Sequence, residues 1–453
     1  MASTLGGVSV LVAGAGLAGL CAARDLSALG ASVTVVDARD RVGGRVWTIR
    51  DGFAERQHAE AGGDIIDGGH QEIRALAGDL GLTLTRILRG GFGGSVQLDA
   101  AGRPRIVARS AVRGWERLAR ELEPVTRPYR LAEQRWDSPI TADLCRKSVS
   151  GWLDEVGADA ELRATATGMR GFFLADPEEL SLIALVDLFA ESEAPALDKM
   201  YRIDGGNDRL ASALAAPLGD RLHLGTELVA VSHRGRTVRA SLKNGKALAQ
   251  INCDYLVLAL PATTLRRIPF TPSLPAQQHD AVANLRYGHA TKTLMQFTRR
   301  FWRAPGRSRA YGSPLPFGAV WEANEEQQGR SGILTLVAGG GASDATQAIV
   351  AKEGAPGLVR ALDWLGSRGA ELMVSRQIVW EQDLFARGGY AYFDPAYDPG
   401  LRAWLARPFG RLFFAGEHTS IRWQGYMNGA VESGRRAAAE VAAVHRAATP
   451  LIG

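Results

Sequence analysis

Cysteine is scarce: Cys21, Cys145 and Cys253 are the three in 453 residues, and no spacing among them suits a metal ion. Cys21 and Cys253 lie in apolar segments and read as small core residues, so nothing calls for an oxidising compartment. Lysine is scarce too. Six of the 53 basic residues are lysines. The arginines that make up the rest are scattered, not gathered into a stripe with aromatics between them, so no nucleic-acid partner is expected. The net charge of +5 reads as a mixed-charge solvated surface, with attraction of an anionic cofactor or substrate as the other reading. No run reaches the roughly 18 apolar residues of a membrane helix, so no membrane anchor is expected. Met1–Gly7 is short and uncharged and leads into a strand. It reads as no signal peptide, which leaves the cytoplasm as the expected compartment. Internal repeats, low-complexity linkers and a Ser-His-Asp pattern are all missing from the sequence.

What is present suits a folded enzyme. Hydrophobic residues make up 46% and charged residues 22%, enough for a sizeable core. The 453 residues exceed the roughly 250–300 at which a single core stops growing, so two intertwined domains are expected. Val8–Ala13 is a short Val-rich run that reads as a buried parallel strand. Ala18–Leu29 has helical spacing and stops at Gly30, and Ser32–Val36 is the next strand. Together they form a βαβ unit. The stretch from about Leu76 to Tyr201 reads as mostly helical, with Arg74–Leu80, Val112–Leu122 and Leu180–Ala190 as the clearest helices. Strands are expected at Leu222–Ser232, Thr237–Leu242, Tyr255–Leu260, Ala290–Phe297, Gly332–Val337 and Leu412–Ala415. Gly205–Leu218 reads as a glycine turn opening a helix, and Gly429–His445 as a final helix.

Gly14-Ala15-Gly16-Leu17-Ala18-Gly19 is a G-x-G-x-x-G pattern set between the first strand and its helix, the context in which it binds a dinucleotide. Gly14 permits the tight turn, Gly16 lets the backbone approach a pyrophosphate, and Gly19 lets helix and strand pack closely. Leu17 and Ala18 open the helix and offer free N–H groups to phosphate oxygens. Asp37, ending the second strand, is the acid expected to accept hydrogen bonds from the adenosine ribose. These features alone leave NAD and FAD both open.

The next residues separate them. The stretch from Val35 through Asp37, Ala38, Arg39, Gly43 and Gly44 to Arg45 (VVDARDRVGGR) resembles the flavin-binding signature of the FAD-dependent amine oxidase family. That family includes monoamine oxidases, polyamine oxidases and L-amino acid oxidases. The usual acid of the signature is Glu, and Asp37 is one methylene shorter. The resemblance runs nearly the whole chain. Gly62 and Gly63 match the glycine pair under the isoalloxazine edge. Gly225–Pro261 resembles a second flavin segment, with the backbone near Val229 meeting the adenine. Phe414–Thr419 and Gly425–Val431 match the C-terminal signature, in which Gly416, Glu417, Met427 and Ala430 approach the flavin.

The resemblance implies an α/β fold: a FAD-binding Rossmann-like domain of the glutathione-reductase type with an interleaved α+β substrate domain. Residues 1–75, 205–285 and 391–453 would form the first, and 76–204 and 286–390 the second. It implies that Arg45 grips the diphosphate and that Lys292, preceding Phe301-Trp302, reaches flavin N5 through water. Taken by itself, a lysine within the apolar run ATKTLMQF also fits an edge strand reaching solvent. Trp380 lies ten residues before Tyr390, matching a segment in which the tryptophan packs near the flavin. Tyr390 and Tyr426 would form an aromatic pair admitting a neutral amine, or else be core residues. Gly389 stands where monoamine oxidases carry a flavin-linking cysteine, so non-covalent FAD is expected.

His70, His289 and His418 read as packing or surface residues, and no metal cluster is seen. The pocket segments Gly171–Leu174, Leu182–Phe189 and Phe317–Trp321 look apolar and aromatic, with Asp187 and Glu322 nearby in sequence. A small amine and oxygen are the expected partners, the substrate a neutral-side-chain amine and a homodimer left open. The alternative activities are an L-amino acid oxidase, with Arg74, Arg170 or Arg202 holding a carboxylate, and a flavin-dependent desaturase or dehydrogenase.

Overall fold

Val10, Leu11 and Val12 are buried on both faces of the strand Ser9–Ala13, as a parallel strand covered from both sides requires. The computed structural model to which this strand belongs describes residues 4–89, 94–99, 101–108, 110–190, 199–305 and 307–448. Ser32–Val36 pairs parallel with one side of it and Tyr255–Leu258 with the other. Leu222–His223 and Leu412–Phe414 complete a five-stranded parallel sheet. The helix Leu17–Ala28 crosses between the first two strands, buried along most of its length, because the C-terminal helix Met427–Ala448 packs on its outer side. Gly434 makes that contact possible: a methyl group there would collide with the Ala18 carbonyl.

Over the other face lies a four-stranded sheet of Thr226–Arg234, Thr237–Asn244, Ala247–Cys253 and Phe270–Thr271. Leu11, Ala13 and Val36 share one core with Leu228, Val231 and Val238 of that layer. A separate seven-stranded sheet runs in the order Leu372–Val379, Ala290–Phe297, Gly332–Gly339, Ala319–Glu322, Ala310–Gly312, Gly94–Leu98, Pro104–Ala108. Helices Ser110–Leu131, Pro139–Cys145, Val149–Glu155, Ala160–Gly168 and Leu182–Ala190 form a layer with its own core. A small sheet of Ile66–Asp67, Met200–Ile203 and Leu84–Ile87 joins these parts.

Three differences from the sequence reading have plain causes. The mostly helical middle also contains the paired strands Gly94–Leu98 and Pro104–Ala108 and the strands Leu84–Ile87 and Met200–Ile203; each is short, and the last two pair with each other from opposite ends of that stretch. The helix starting at Ser110 runs on through Pro124 and Pro128, where proline argued for a stop. Finally, Ala290–Phe297 is an interior strand, antiparallel to both neighbours and buried at all eight positions, which removes the edge-strand reading of Lys292. No helix among the described residues is long and apolar enough to cross a membrane.

Candidate active site

A cavity of about 1160 Å³ opens beyond the carboxyl ends of the parallel strands, where Ala13, Val36 and Ala259 meet, and extends to the seven-stranded sheet. Ligands of open α/β sheets bind at this edge. The volume exceeds the roughly 300–1,000 Å³ of a typical small-molecule site. At one end stands the N-terminus of the helix Leu17–Ala28, whose first N–H groups have no intrahelical acceptor. Gly14 takes φ +107°, with Ala259 O only 2.5 Å from where a Cβ would stand. A Cβ on Gly16, by contrast, would meet nothing within 4 Å, so the chain there is open to close approach. Gly19 is not on the wall. A side chain there would collide with the Gly14 carbonyl, so its part is to seat helix on strand.

Asp37 is fixed by its own backbone surroundings: Oδ2 accepts from Ala15 N at 2.7 Å and Oδ1 from Arg39 N at 2.8 Å. Burial outweighs these bonds and raises its pKa. Ala38, Gly44 and Val229 line the same end. The Arg39 guanidinium makes a paired contact with Asp383, at 2.6 and 2.8 Å, and so clasps the 383–386 turn. Arg45 lies on the wall but its Nη1 already donates to Gly389 O at 2.5 Å and Glu417 Oε1 at 3.1 Å. Glu417 in turn accepts from Gly425 N at 2.8 Å, which braces the two halves of the C-terminal signature.

In the middle, the chain passes through Gly62 and Gly63 with no room for side chains: a methyl on Gly62 would collide with Arg45 O, and one on Gly63 would sit 2.8 Å from Met427 Sδ. Trp380 is buried against this turn and donates to Ala61 O at 3.0 Å. Gly416, Met427 and Ala430 line the wall beside the N-terminus of the helix Met427–Ala448.

At the far end Lys292 reaches the wall from its interior strand, 5% exposed. Its Nζ donates to Asp64 Oδ2 at 2.8 Å and Gly62 O at 3.1 Å. Burial lowers its pKa, and Asp64 works in the opposite direction. Asp64 also accepts from Arg202 Nε at 2.5 Å and Trp321 Nε1 at 3.0 Å. Sequence reasoning missed Asp64 altogether; its one signal was an acid directly after the glycine pair. Tyr390 and Tyr426 both line the cavity. Tyr390 is held by a hydrogen bond to the Phe172 carbonyl, and its ring lies against Gly425, beside Tyr426. Burial pushes the Tyr390 phenol well above its ordinary range.

The structure adds partners to the histidine reading. His70 is a wall residue, its ring 4.9 Å from Tyr426 and 5.1 Å from Trp423, both edge-on. Its Nδ1 accepts from Asp67 N at 3.0 Å, so the neutral ring carries its proton on Nε2, 3.5 Å from Asp67 Oδ2. Burial lowers the His70 pKa to about 4 and raises that of Asp67 to about 6. His418 is on the wall too, with a pKa lowered to about 3, mainly by burial. His289 gathers with Asp344 and Glu381 so that one ligand-type atom of each lies within 4.8 Å, a grouping not seen in sequence. Glu381 there already accepts from Ala290 N, Ser343 Oγ and Gln347 Nε2.

Of the expected pocket segments, Gly171–Leu174 lines the cavity throughout, Leu182–Phe189 contributes Ile183, Ala184, Asp187 and Leu188, and Phe317–Trp321 contributes Trp321 alone. Asp187 accepts from Tyr129 Oη at 2.9 Å. Glu322 lies off the wall, fully buried between Arg300 and Arg303. Arg74, Arg170 and Arg202 are off it as well. Arg74 donates to Gly68 O, Arg170 to Pro314 O and Leu315 O, and Arg202 to Asp64 and Glu326. The three cysteines are buried and none reaches the cavity.

The donor set suits a flavin dinucleotide: a glycine cradle at a helix N-terminus, an acid beside it and a second helix N-terminus further along one continuous wall. Comparison with known proteins agrees. Residues 17–442 match the family model of flavin containing amine oxidoreductases. The flavin-containing amine oxidase A of Sus scrofa is 26% identical over 461 residues, covering 96% of this chain and 85% of its own. An L-amino-acid oxidase of Notechis scutatus scutatus is 25% identical over 466 residues, covering 95% and 86%. The structure of cyclohexylamine oxidase from Brevibacterium oxydans IH-35A superposes with a TM-score of 0.84 at 25% identity, covering 97% of this chain and 99% of that one. With a match that spans nearly its whole length, this chain belongs to the flavin-containing amine oxidoreductase family.

Proposed function

We propose that the protein is a FAD-dependent oxidase of a small amine, with dioxygen as electron acceptor. The observation that carries this reading is the continuity of the cavity, whose single wall includes Asp37 and Gly16 at one end and Lys292, Tyr390 and Tyr426 at the other. When bound, FAD would supply the redox chemistry, two-electron oxidation of the amine to an imine that water hydrolyses to aldehyde or ketone, with dioxygen reduced to hydrogen peroxide.

The chain's own residues bind, orient and exclude water. The N–H groups of Leu17 and Ala18 meet the diphosphate, and the lone pairs of Asp37 left free by the backbone accept from the ribose. Gly62, Gly63 and Trp380 would hold the ring, and the positive end of the helix starting at Met427 would stabilise negative charge on it. Lys292 presents an N–H beside the reacting edge. Tyr390 and Tyr426 orient an uncharged amine, while Phe172, Leu174, Ile183 and Leu188 keep its hydrocarbon dry. The cofactor is held without a covalent bond, since no cysteine reaches the wall. We keep the discontinuous division 1–75, 205–285 and 391–453 against 76–204 and 286–390 as a proposal; the parallel strands lie in the first set and the seven-stranded sheet in the second, which supports it.

We put amine oxidation forward over amino-acid oxidation: Arg74, Arg170 and Arg202, the arginines expected to hold a carboxylate, lie off the wall, and the arginines that line it beyond Arg39 and Arg45 are Arg267, Arg387 and Arg422. Aerobic turnover of a small primary amine tests the proposal. Oxygen consumed and peroxide formed should match mole for mole, with aldehyde or ketone appearing alongside. Carbonyl product without peroxide would assign the electrons to another acceptor and defeat the oxidase reading.

A further inference from the structure

Four charges form one connected chain that runs inward from the cavity wall: Lys292 and Asp64 on the wall, then buried Arg202 and partly buried Glu326. Lys292, Asp64 and Arg202 are 5%, 8% and 2% exposed. Such charges are costly unless each is paired and hydrogen-bonded. The pairing here is directional. Arg202 Nε and Trp321 Nε1 hold the two oxygens of Asp64, and Arg202 is anchored in turn by Ala323 O at 2.5 Å and Glu326 at 3.1 Å. Asp64 thus offers one fixed acceptor to Lys292, and Gly62 O offers the second. An ammonium has three donors. Two are spent on the protein, which leaves one for the cavity.

The other carboxyl nearby does not supply this charge. Glu60 accepts from Thr48 Oγ1 and Asn207 N, and burial, with Asp64 adding to it, raises its pKa to about 8, so at neutral pH it is protonated. The charged groups around Lys292 are therefore Asp64 and Arg202, with Glu326 beyond Arg202.

We infer that Asp64 is a positioning residue for Lys292: clamped by Arg202 and Trp321, it keeps the lysine protonated and aims its one remaining N–H into the cavity. This rests on the proposed reading in which Lys292 faces the flavin. Without the carboxylate, Lys292 and Arg202 are two buried cations with no anion between them, and the lysine gives up its proton. A neutral amine still donates to Gly62 O, but it presents a lone pair, not a positive charge, to the cavity.

The test is a pH titration of the flavin absorption spectrum in oxidised holoenzyme, without substrate. Asp64→Asn should show a new transition at lower pH than any in wild type, because burial lowers the pKa of a lysine that has lost its carboxylate. That transition should vanish in Asp64→Asn combined with Lys292→Met. Asp64→Glu, which restores the charge, should return the profile to that of wild type. A spectrum of Asp64→Asn that titrates like wild type, or a new transition that survives Lys292→Met, overturns the inference. Should Asp64→Asn not retain flavin, wild type and Lys292→Met still decide: a Lys292-dependent transition in wild type below neutrality means that Asp64 does not hold the proton. Reoxidation kinetics separate the two levels. If Lys292→Met alone leaves both spectrum and reoxidation rate unchanged, Lys292 does not face the flavin and both readings fall; if it alters them and Asp64→Asn does not, only this inference falls.

Discussion

Gly16→Ala should weaken FAD binding while leaving the apoprotein as stable as before. Gly16 is the N-cap of the helix Leu17–Ala28 with φ −72° and ψ 176°, a conformation alanine adopts freely. A methyl group there meets no atom within 4 Å, so the folded chain has nothing to move. Alanine is a poorer N-cap than glycine, while reduced freedom of the unfolded chain works the other way at about 0.4–1 kcal/mol. The net change in unfolding free energy should stay within about 0.5 kcal/mol. The methyl points into the space assigned to the diphosphate. Losing one charge-assisted bond from the helix N-terminus costs roughly 1.5–3 kcal/mol, or about 10- to 150-fold in Kd. Urea unfolding of the apoprotein and titration with FAD, followed by quenching of flavin fluorescence, measure the two quantities separately. Gly19→Ala is the contrast: its methyl collides with the Gly14 carbonyl, so it should destabilise the apoprotein by about 2 kcal/mol or more. An unchanged Kd for Gly16→Ala, or a loss of apoprotein stability as large as that of Gly19→Ala, would refute the cradle.

Further outcomes follow from the same geometry. Lys292→Met should slow reoxidation of reduced flavin by oxygen at least about tenfold, because it removes a buried positive charge beside the reacting edge, with little effect on FAD affinity; stopped-flow mixing with oxygen reads the first and FAD titration of the apoprotein the second. Acid precipitation should leave a colourless pellet and a yellow supernatant, since no cysteine reaches the wall; colour held in the washed pellet would contradict non-covalent binding. His70 is held neutral, its pKa lowered by burial to about 4 from an ordinary 6.5, so below 6.5 the unfolded chain binds the proton first. Its stabilising effect is present above pH 6.5 and lost as the pH falls toward 4. His70→Gln should flatten that part of the stability profile by up to about 3 kcal/mol, read from urea midpoints at stepped pH.

The dinucleotide end was legible because its chemistry is local. Gly14, Gly16, Gly19 and Asp37 act within one βαβ unit, and glycine spacing between a strand and a helix reports backbone geometry directly. Lys292 stood out because an ammonium in an apolar strand demands a reason. Its reason was not legible: Asp64 lies 228 residues away, Arg202 comes from a third segment, and only the folded sheet brings them together. His70 escaped notice for a similar cause. Its neighbours Trp423 and Tyr426 arrive from the far end of the chain, and Asp67, three residues before it, looks like any surface acid until the fold places it on the cavity wall. The substrate walls were half legible. An aromatic run such as Gly171–Leu174 announces burial, but whether a residue faces a cavity or a core, as with Trp321 against Glu322, depends on strand alternation.

Anaerobic mixing of the holoenzyme with an arylalkylamine, a diamine and an L-amino acid tests amine oxidation most directly, with loss of the oxidised flavin band as the signal. The arylalkylamine should bleach the flavin, and faster as the pH rises toward the amine's own pKa, because the tyrosine slot takes the uncharged form. Bleaching by the amino acid alone would contradict the account.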